Sequence, residues 1–393
     1  MVTMRAALVS AALLSGCVDT SLTGPFQAEV LVRTPERAYV LQTVALPDLT
    51  SFAPLNDPFV RFSDHPNFDE DQLKDFDASL FASPSDYSPR VRDVNGVAVA
   101  RDLESLLTLS AYYSLKDNFS RAQDVFGPLD QLIPDGGFQI LVEPKFSSEL
   151  GSQELGTNAA YIPGGQAFLL VQMSSLESIP LGMNPSVLAH EFGHHVFYVT
   201  YSTADGVCDP DDNPAGPVPP GRFSSAEAIS GFNEGFADIT AFVLQQETRV
   251  LADSIPALDG GERAIDMREP GYLAFTWSTR DRCGDSFYCI GTLWARAVFE
   301  VYLASGARAD DLAARSTYAR TIATAVAGVP GRLRQRSGWP TPSKRCDFAK
   351  LDDELTLVRA YVEAFIAGLP VSLQASACTE LASRFEFMPV GCP

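Results

Sequence analysis

The segment His190–His195 reads HEFGHH and contains three of the four histidines in the 393-residue chain. On a helix, residues four apart differ in direction by about 40°, so His190 and His194 project from the same face. Neutral imidazoles at this spacing are suited to holding a single zinc ion. Glu191 directly follows the first of these histidines, where its carboxylate can reach a metal-bound water instead of the metal. The segment therefore predicts a metal site on a helix.

A second predicted helix, from about Ser225 to Gln246, carries Glu234 and Asp238 at the same four-residue spacing. A glutamate completes a site with two histidines and leaves a fourth position for water. Asp238 would accept a hydrogen bond from the other ring nitrogen of His190 and fix its tautomer. No histidine follows His195 in the sequence, so a third histidine ligand farther along the chain is excluded. A purely solvated acidic helix does not fit the apolar neighbours of these carboxylates: Ile229, Phe232, Phe236, Ile239 and Phe242.

The two motifs, HExxH and then ExxxD, resemble those of the thermolysin-like and fungalysin-like gluzincin metallopeptidases. Three further segments extend the resemblance over roughly residues 98–370, in the family's order: Leu103–Phe126, Asn158–Tyr161 and Cys289–Ala295. The resemblance implies a two-lobed α+β fold. In that fold a mixed sheet and the active-site helix precede a mainly helical C-terminal lobe.

The same resemblance implies a zinc-dependent peptidase with a peptide or protein substrate. His190, His194 and Glu234 would bind one zinc ion, and Glu191 would be the catalytic base that activates a metal-bound water. An endopeptidase is the favoured kind, although an exopeptidase stays open. The resemblance also implies that calcium could bind, because members of this family often hold calcium ions. The acidic run Asp209–Asn213 lacks the glycine and distal glutamate of an EF-hand, so an ordinary loop is favoured there.

Substrate binding and oxyanion stabilisation are also carried over from the resemblance. Asn158 and the main chain of Ala159 match the family's edge strand, which holds the peptide as an added strand. Tyr288 stands where the family has a histidine that stabilises the oxyanion. A phenol can donate the same hydrogen bond to the oxyanion. The alternative is that Tyr288 only packs against its neighbours. The family's arginine has no counterpart in register, with Arg263 and Arg268 the nearest candidates.

Two other functions compete with the peptidase. A retired enzyme, acting as a zinc-containing peptide-binding lipoprotein, would explain the missing histidine at Tyr288. The intact Glu191 argues against it, because a binding protein needs no carboxylate beside the metal water. In the third interpretation zinc has only a structural role. A structural zinc site has four protein ligands, and the sequence does not offer a fourth.

The N-terminus has the features of an exported lipoprotein. One positive charge in Met1–Arg5 precedes the apolar run Ala6–Leu14, which is too short to span a bilayer. The run ends in Leu-Ser-Gly-Cys at Cys17, which resembles a bacterial lipidation signal, although an ordinary cleaved signal is the alternative. Val18 in place of aspartate favours an outer-membrane lipoprotein, in a Gram-negative cell. The expected location is therefore the cell envelope, with lipid anchoring through Cys17.

Composition excludes one partner and suggests disulfides. The formal net charge of −20 repels phosphate backbones, so nucleic acid is not expected as a partner, and the oligomeric state stays unknown. An even number of cysteines beyond Cys17 fits disulfides in an exported protein. The most local pairs are Cys283 with Cys289, then Cys378 with Cys392, among the six cysteines Cys208, Cys283, Cys289, Cys346, Cys378 and Cys392.

Periodicity divides the chain into four parts. A signal segment (1–17) precedes an N-terminal region of unknown role (18–97), which combines short strands with a predicted loop from about 47 to 90. An α+β zinc-binding catalytic lobe (98–246) and a mainly helical C-terminal lobe (247–393) follow. Pro185 and Ser186 are predicted to open the helix that carries the histidines.

Overall fold

A computed structural model describes most of the chain from residue 24 onward. The described residues are 24–64, 66–69, 85–127, 132–133, 137–148, 151–153, 159–162, 167–170, 179–202, 225–254, 264–266, 276–277, 288–335, 354–387, 389 and 391–392. The predicted signal segment and the acidic run Asp209–Asn213 lie outside these ranges, as do Asn158, Arg263 and Arg268.

The strands form three sheets. They are β1 (Phe26–Arg33), β2 (Tyr39–Leu46), β3 (Ser51–Phe52), β4 (Leu55–Asp57), β5 (Val60–Asp64), β6 (Asn67–Asp69), β7 (Val91–Val94), β8 (Val97–Ala100), β9 (Phe138–Val142), β10 (Lys145–Ser148), β11 (Gly151–Gln153), β12 (Ala159–Ile162) and β13 (Ala167–Leu170). The sheet orders are β2-β1-β8-β7, β11-β10-β6 and β12-β13-β9-β5-β4-β3.

The helices dominate the later part of the described chain. They are α1 (Leu103–Phe126), α2 (Pro185–Phe197), α3 (Ser225–Gln245), α4 (Tyr288–Ala304), α5 (Leu312–Ala327), α6 (Val329–Arg334), α7 (Glu354–Gly368) and α8 (Val371–Phe385). A 3₁₀ turn (Leu181–Met183) precedes α2, and a π-helical turn (Tyr198–Ser202) follows it. The predicted α+β class with a mainly helical C-terminal part is confirmed. None of these helices is long and apolar enough to cross a membrane.

The predicted loop from about 47 to 90 is wrong in its first half, because strands β3 to β6 occupy it. Strand β5 lies inside the six-stranded sheet, parallel to β9, with Val60 opposite Phe138 and Asp64 opposite Val142. The strands were missed because they have only two to five residues each and are separated by Pro54, Pro58 and Pro66, which read as loop residues. Part of the 18–97 region is therefore built into the sheet that lies behind the histidine helix.

Helix α2 begins with Pro185 in its first turn, as predicted, and its capping residue is Asn184. The Asn184 Oδ1 accepts the Ser186 N–H at 3.0 Å, which satisfies one of the helix's unpaired donors. The Asn184 Nδ2 also donates to Ser254 Oγ at 3.1 Å, beyond the end of α3. The start of the histidine helix is thus tied to the chain that follows the glutamate helix.

Helices α2 and α3 pack closely enough to require a glycine at their crossing. A Cβ added to Gly193 would lie 2.6 Å from Ala237 Cα and 2.9 Å from Thr240 Cβ. Real side chains do not tolerate such separations, so the absence of a Cβ lets the two backbones approach. The crossing lies within one turn of His190, His194 and Asp238, and it brings the two predicted motifs together.

A disulfide joins Cys378 in α8 to Cys392 near the C-terminus, which confirms one of the two local pairings. Cys289 is disulfide-bonded as well. The predicted partner Cys283 lies outside the described residues, so the pairing of Cys289 with it stays a prediction.

Candidate metal centre

His190 and His194 share one face of α2, and their rings meet nearly at right angles with centroids 4.6 Å apart. Glu234 of α3 faces both rings. The His190 Nε2 lies 3.3 Å from Glu234 Oε2, and the His194 Nε2 lies 3.6 Å from Glu234 Oε1. Two ligand atoms at about 2.0–2.1 Å from a tetrahedral zinc ion are themselves about 3.3–3.4 Å apart. The three side chains therefore stand at separations that suit three ligands of one ion.

Each histidine Nδ1 faces an oxygen of α3. The His190 Nδ1 is 2.9 Å from the Oδ1 of Asp238, whose carboxylate is 1% exposed. The His194 Nδ1 is 3.0 Å from the carboxamide oxygen of Asn233. With the proton held on Nδ1, each imidazole presents the lone pair of Nε2 to the ion.

Asn233 is a partner that the sequence argument did not assign. Its signal is its position, since it directly precedes Glu234 on a helix that faces the histidines. The contact depends on the crossing of α2 and α3, and helical spacing alone does not give that angle.

Glu191 is buried beside the two histidines. The ligand-type atoms of His190, Glu191 and His194 all lie within 4.8 Å of one another. The Glu191 Oε2 accepts the backbone N–H of Tyr161, in strand β12, at 2.8 Å. One Glu191 oxygen is thus held by the edge strand, whereas both Glu234 oxygens face the ring nitrogens. This difference favours Glu234 as the ligand and leaves Glu191 free for proton transfer.

Burial raises the pKa of Glu191 above its usual range, while the neighbouring histidines and the Tyr161 N–H act in the opposite direction. A carboxylate that is reluctant to stay charged accepts a proton readily. This behaviour suits the base predicted from the sequence.

His195 is directed towards strand β12 and is 1% exposed. Its Nδ1 lies 2.6 Å from the Tyr161 hydroxyl, and its Nε2 contacts the carbonyl oxygen of Leu132. Burial lowers the pKa of His195 to about 4, so the imidazole is neutral near pH 7.

The remaining predicted residues lie around this group. Ala159 begins β12, the strand at one edge of the six-stranded sheet. Tyr288 is the first residue of α4 and is 40% exposed. One turn later, Gly291 packs against α3, where an added Cβ would lie 2.9 Å from the Cβ of Glu234. The structure therefore brings the first turns of α4 beside the candidate ligand.

No protein-family model and no curated protein matches the chain. Among solved structures, the chain is similar to the precursor of protealysin, a metalloproteinase from Serratia proteamaculans. The two are 11% identical, with a TM-score of 0.44, over 94% of this chain and 90% of that chain. The likeness is too distant to assign a role to any residue, so the chemistry rests on the side chains of the site itself.

Proposed function

We propose that the protein is a zinc-dependent metallopeptidase of the gluzincin type, which hydrolyses peptide bonds. One observation carries this proposal. The Nε2 atoms of His190 and His194 and the carboxylate of Glu234 are spaced as three ligands of one ion, with Glu191 held beside them. Two imidazoles and one carboxylate favour zinc among the divalent ions and leave a position open for water.

The residues of the chain divide the work of hydrolysis between them. Zinc, when bound, makes a water acidic and polarises the scissile carbonyl. Glu191 takes one proton of that water on the oxygen that Tyr161 does not hold. The water oxygen adds to the carbonyl carbon, the carbon–nitrogen bond breaks, and Glu191 delivers the proton to the leaving amine. Asp238 and Asn233 keep the two ligand imidazoles in the tautomer that exposes Nε2.

The edge strand β12 supplies a surface for an extended peptide. Backbone groups of alternate residues point to the same side of a strand. The Tyr161 N–H points to Glu191, away from the neighbouring strand β13, so the backbone groups of Ala159 face the same open side. A substrate paired there as an added strand would present its carbonyl to Glu191. This supports the predicted role of Ala159, and Asn158 retains the role that the resemblance implies.

Tyr288 is proposed as a second donor to the oxyanion. It lies one turn before Gly291, which packs against the helix that carries Glu234. Its exposure of 40% leaves the ring accessible to a bound substrate. Removal of one such donor costs about a hundredfold or more in turnover when the role is genuine. Tyr288→Phe provides the direct comparison.

The deciding experiment measures zinc content and casein cleavage for the wild type and for Glu191→Gln. We expect one zinc per chain in both, and a loss of cleavage by several orders of magnitude in the variant. Glu29→Gln changes a half-buried carboxylate in β1, and as the matched control it should cleave normally. A Glu191→Gln protein that binds zinc and cleaves casein as well as the wild type does would contradict the assignment of Glu191 as the catalytic base. Zinc without cleavage in either protein would favour the retired, peptide-binding alternative.

We also propose that the protein is a cell-envelope lipoprotein anchored through Cys17, in the outer membrane if the cell is Gram-negative. Support comes from the Leu-Ser-Gly-Cys sequence at the end of the short apolar run. Labelled palmitate should enter the wild type and not Cys17→Ser. Equal labelling of both would rule out this anchor.

A further inference from the structure

Tyr161 contacts helix α2 at two points that lie one turn apart. Its backbone N–H donates to Glu191 Oε2 at 2.8 Å, and its hydroxyl lies 2.6 Å from His195 Nδ1. Glu191 and His195 are four residues apart, so they share a face of the helix. A single residue of the edge strand therefore holds both the proposed base and a buried imidazole.

The Leu132 carbonyl determines which group donates the proton in the hydrogen bond between the Tyr161 hydroxyl and His195 Nδ1. The Leu132 carbonyl oxygen can only accept, so the His195 Nε2 that contacts it carries the ring proton. In this tautomer Nδ1 is an acceptor, and the Tyr161 hydroxyl donates to it. Every polar group in this chain of contacts has a matched partner, which fixes the imidazole in one tautomer.

The imidazole has no room to turn. The ring of Phe138 in β9 packs edge-on against it, with centroids 4.7 Å apart, and Phe192 in α2 lies 5.9 Å away. The Tyr161 ring also packs against the imidazole, with the two ring centroids 5.4 Å apart. The hydroxyl is therefore anchored to a rigid point on the core, because packed aromatic rings leave few alternative rotamers.

Strand β12 needs such an anchor. It has four residues and lies at the edge of its sheet, with β13 as its neighbour in the sheet order. A short edge strand is fixed by hydrogen bonds on one side only, so its other side is free to shift. On that other side, the Tyr161 N–H must stay within hydrogen-bonding distance of Glu191.

We propose that Tyr161 and His195 are a positioning pair, which clamps strand β12 onto helix α2 and so fixes the Glu191 carboxylate for proton transfer. The pair acts on proton transfer through the Tyr161 N–H, which donates to Glu191. This inference rests on the proposed peptidase function for its kinetic consequence. The clamp itself has a readout that requires no catalysis.

The test compares Tyr161→Phe, His195→Gln and the double variant, all zinc-loaded. Each single variant removes the hydrogen bond between residues 161 and 195. Phenylalanine lacks the hydroxyl that donates it, and the glutamine amide replaces the Nε2 donor of His195 but not the Nδ1 acceptor. We expect kcat to fall about tenfold in each, with KM and zinc content unchanged. The double variant should be no worse than the poorer single one, because residues that act as one unit are not additive. Hydrogen exchange of the Tyr161 amide should speed up about tenfold or more in Tyr161→Phe and His195→Gln.

Tyr318→Phe is the control for general loss of a buried hydroxyl, since the Tyr318 hydroxyl donates to the Val298 carbonyl at 2.6 Å in another part of the fold. It should leave kcat and the exchange of the Tyr161 amide unchanged. Unchanged kcat and exchange in Tyr161→Phe would overturn the clamp, as would a change confined to zinc content. If the wild type cleaves no peptide, the proposed function fails. The exchange measurement then decides the clamp independently.

Discussion

At the scale of single residues, the two candidate ligand histidines differ in the group that faces Nδ1. His190 stands beside the buried carboxylate of Asp238, and His194 beside the neutral carboxamide of Asn233. A carboxylate raises the basicity of an imidazole ligand more than a carboxamide does. Asn233 therefore acts mainly by fixing the His194 ring and its tautomer.

Replacing Asn233 should weaken the metal site without dismantling it. We expect Asn233→Ala to lower zinc affinity about 10-fold to 100-fold, because the outer partners of ligand histidines contribute on that order. Competition with a chelator of known affinity measures the change. Asn56→Ala, which removes an exposed carboxamide in β4 that donates to Thr50, is the matched control and should bind zinc as the wild type does. An unchanged affinity in Asn233→Ala would contradict the role given to this side chain.

At the scale of elements, three helices meet at glycines around Glu234. Gly193 lets α2 approach α3, and Gly291 lets α4 approach α3 from another side. A Cβ at Gly291 would lie 2.5 Å from the Gly231 carbonyl oxygen and 2.8 Å from the Gly235 nitrogen. Both contacts are with backbone, which cannot move aside as a flexible side chain does.

Gly291→Ala should therefore push α4 away from α3 at the level of Glu234. The expected cost is about 1–3 kcal/mol of unfolding free energy, typical of overpacking, together with weaker zinc binding. Urea denaturation and the chelator titration measure the two effects. Gly331→Ala in α6 is the matched control, because nothing lies within 4 Å of an added Cβ there. That variant should be neutral or more stable by up to about 1 kcal/mol, from helix propensity alone. Equal stability of the two variants would disprove the close crossing.

At the scale of the whole molecule, the first strands are tied to the chain that follows α3. The Arg33 guanidinium, 12% exposed, donates to Glu247 Oε2 at 2.6 Å and to Asp253 Oδ2 at 2.5 Å. Arg37 reaches the other oxygen of Glu247 at 2.6 Å. With β5 inside the six-stranded sheet, these contacts make residues 26–64 part of the same folded unit as the candidate metal centre.

Arg33→Ala should destabilise the protein by about 3 kcal/mol, because it leaves the buried Glu247 and Asp253 carboxylates short of a partner. Urea denaturation, followed by tryptophan fluorescence and zinc release, should show one transition that moves to lower urea by both probes. The control is Arg308→Ala, which removes an exposed ion pair with Asp310 and should change stability little. Early unfolding of the N-terminal strands with zinc retained would show that they form a separate unit.

The sequence by itself determined the two helices that carry the candidate ligands, because the spacing of residues within a helix is local. His190 with His194, and Glu234 with Asp238, share a face through helical spacing, and that spacing holds wherever the helices pack. The sequence also predicted helix α3 to within one residue of its observed bounds. Only the tertiary structure decided the contacts between elements: Asn233 on His194, Tyr161 on Glu191 and His195, and β5 beside β9. These depend on crossing angles and sheet order, which are set by packing across the whole core and not by any pattern along the chain.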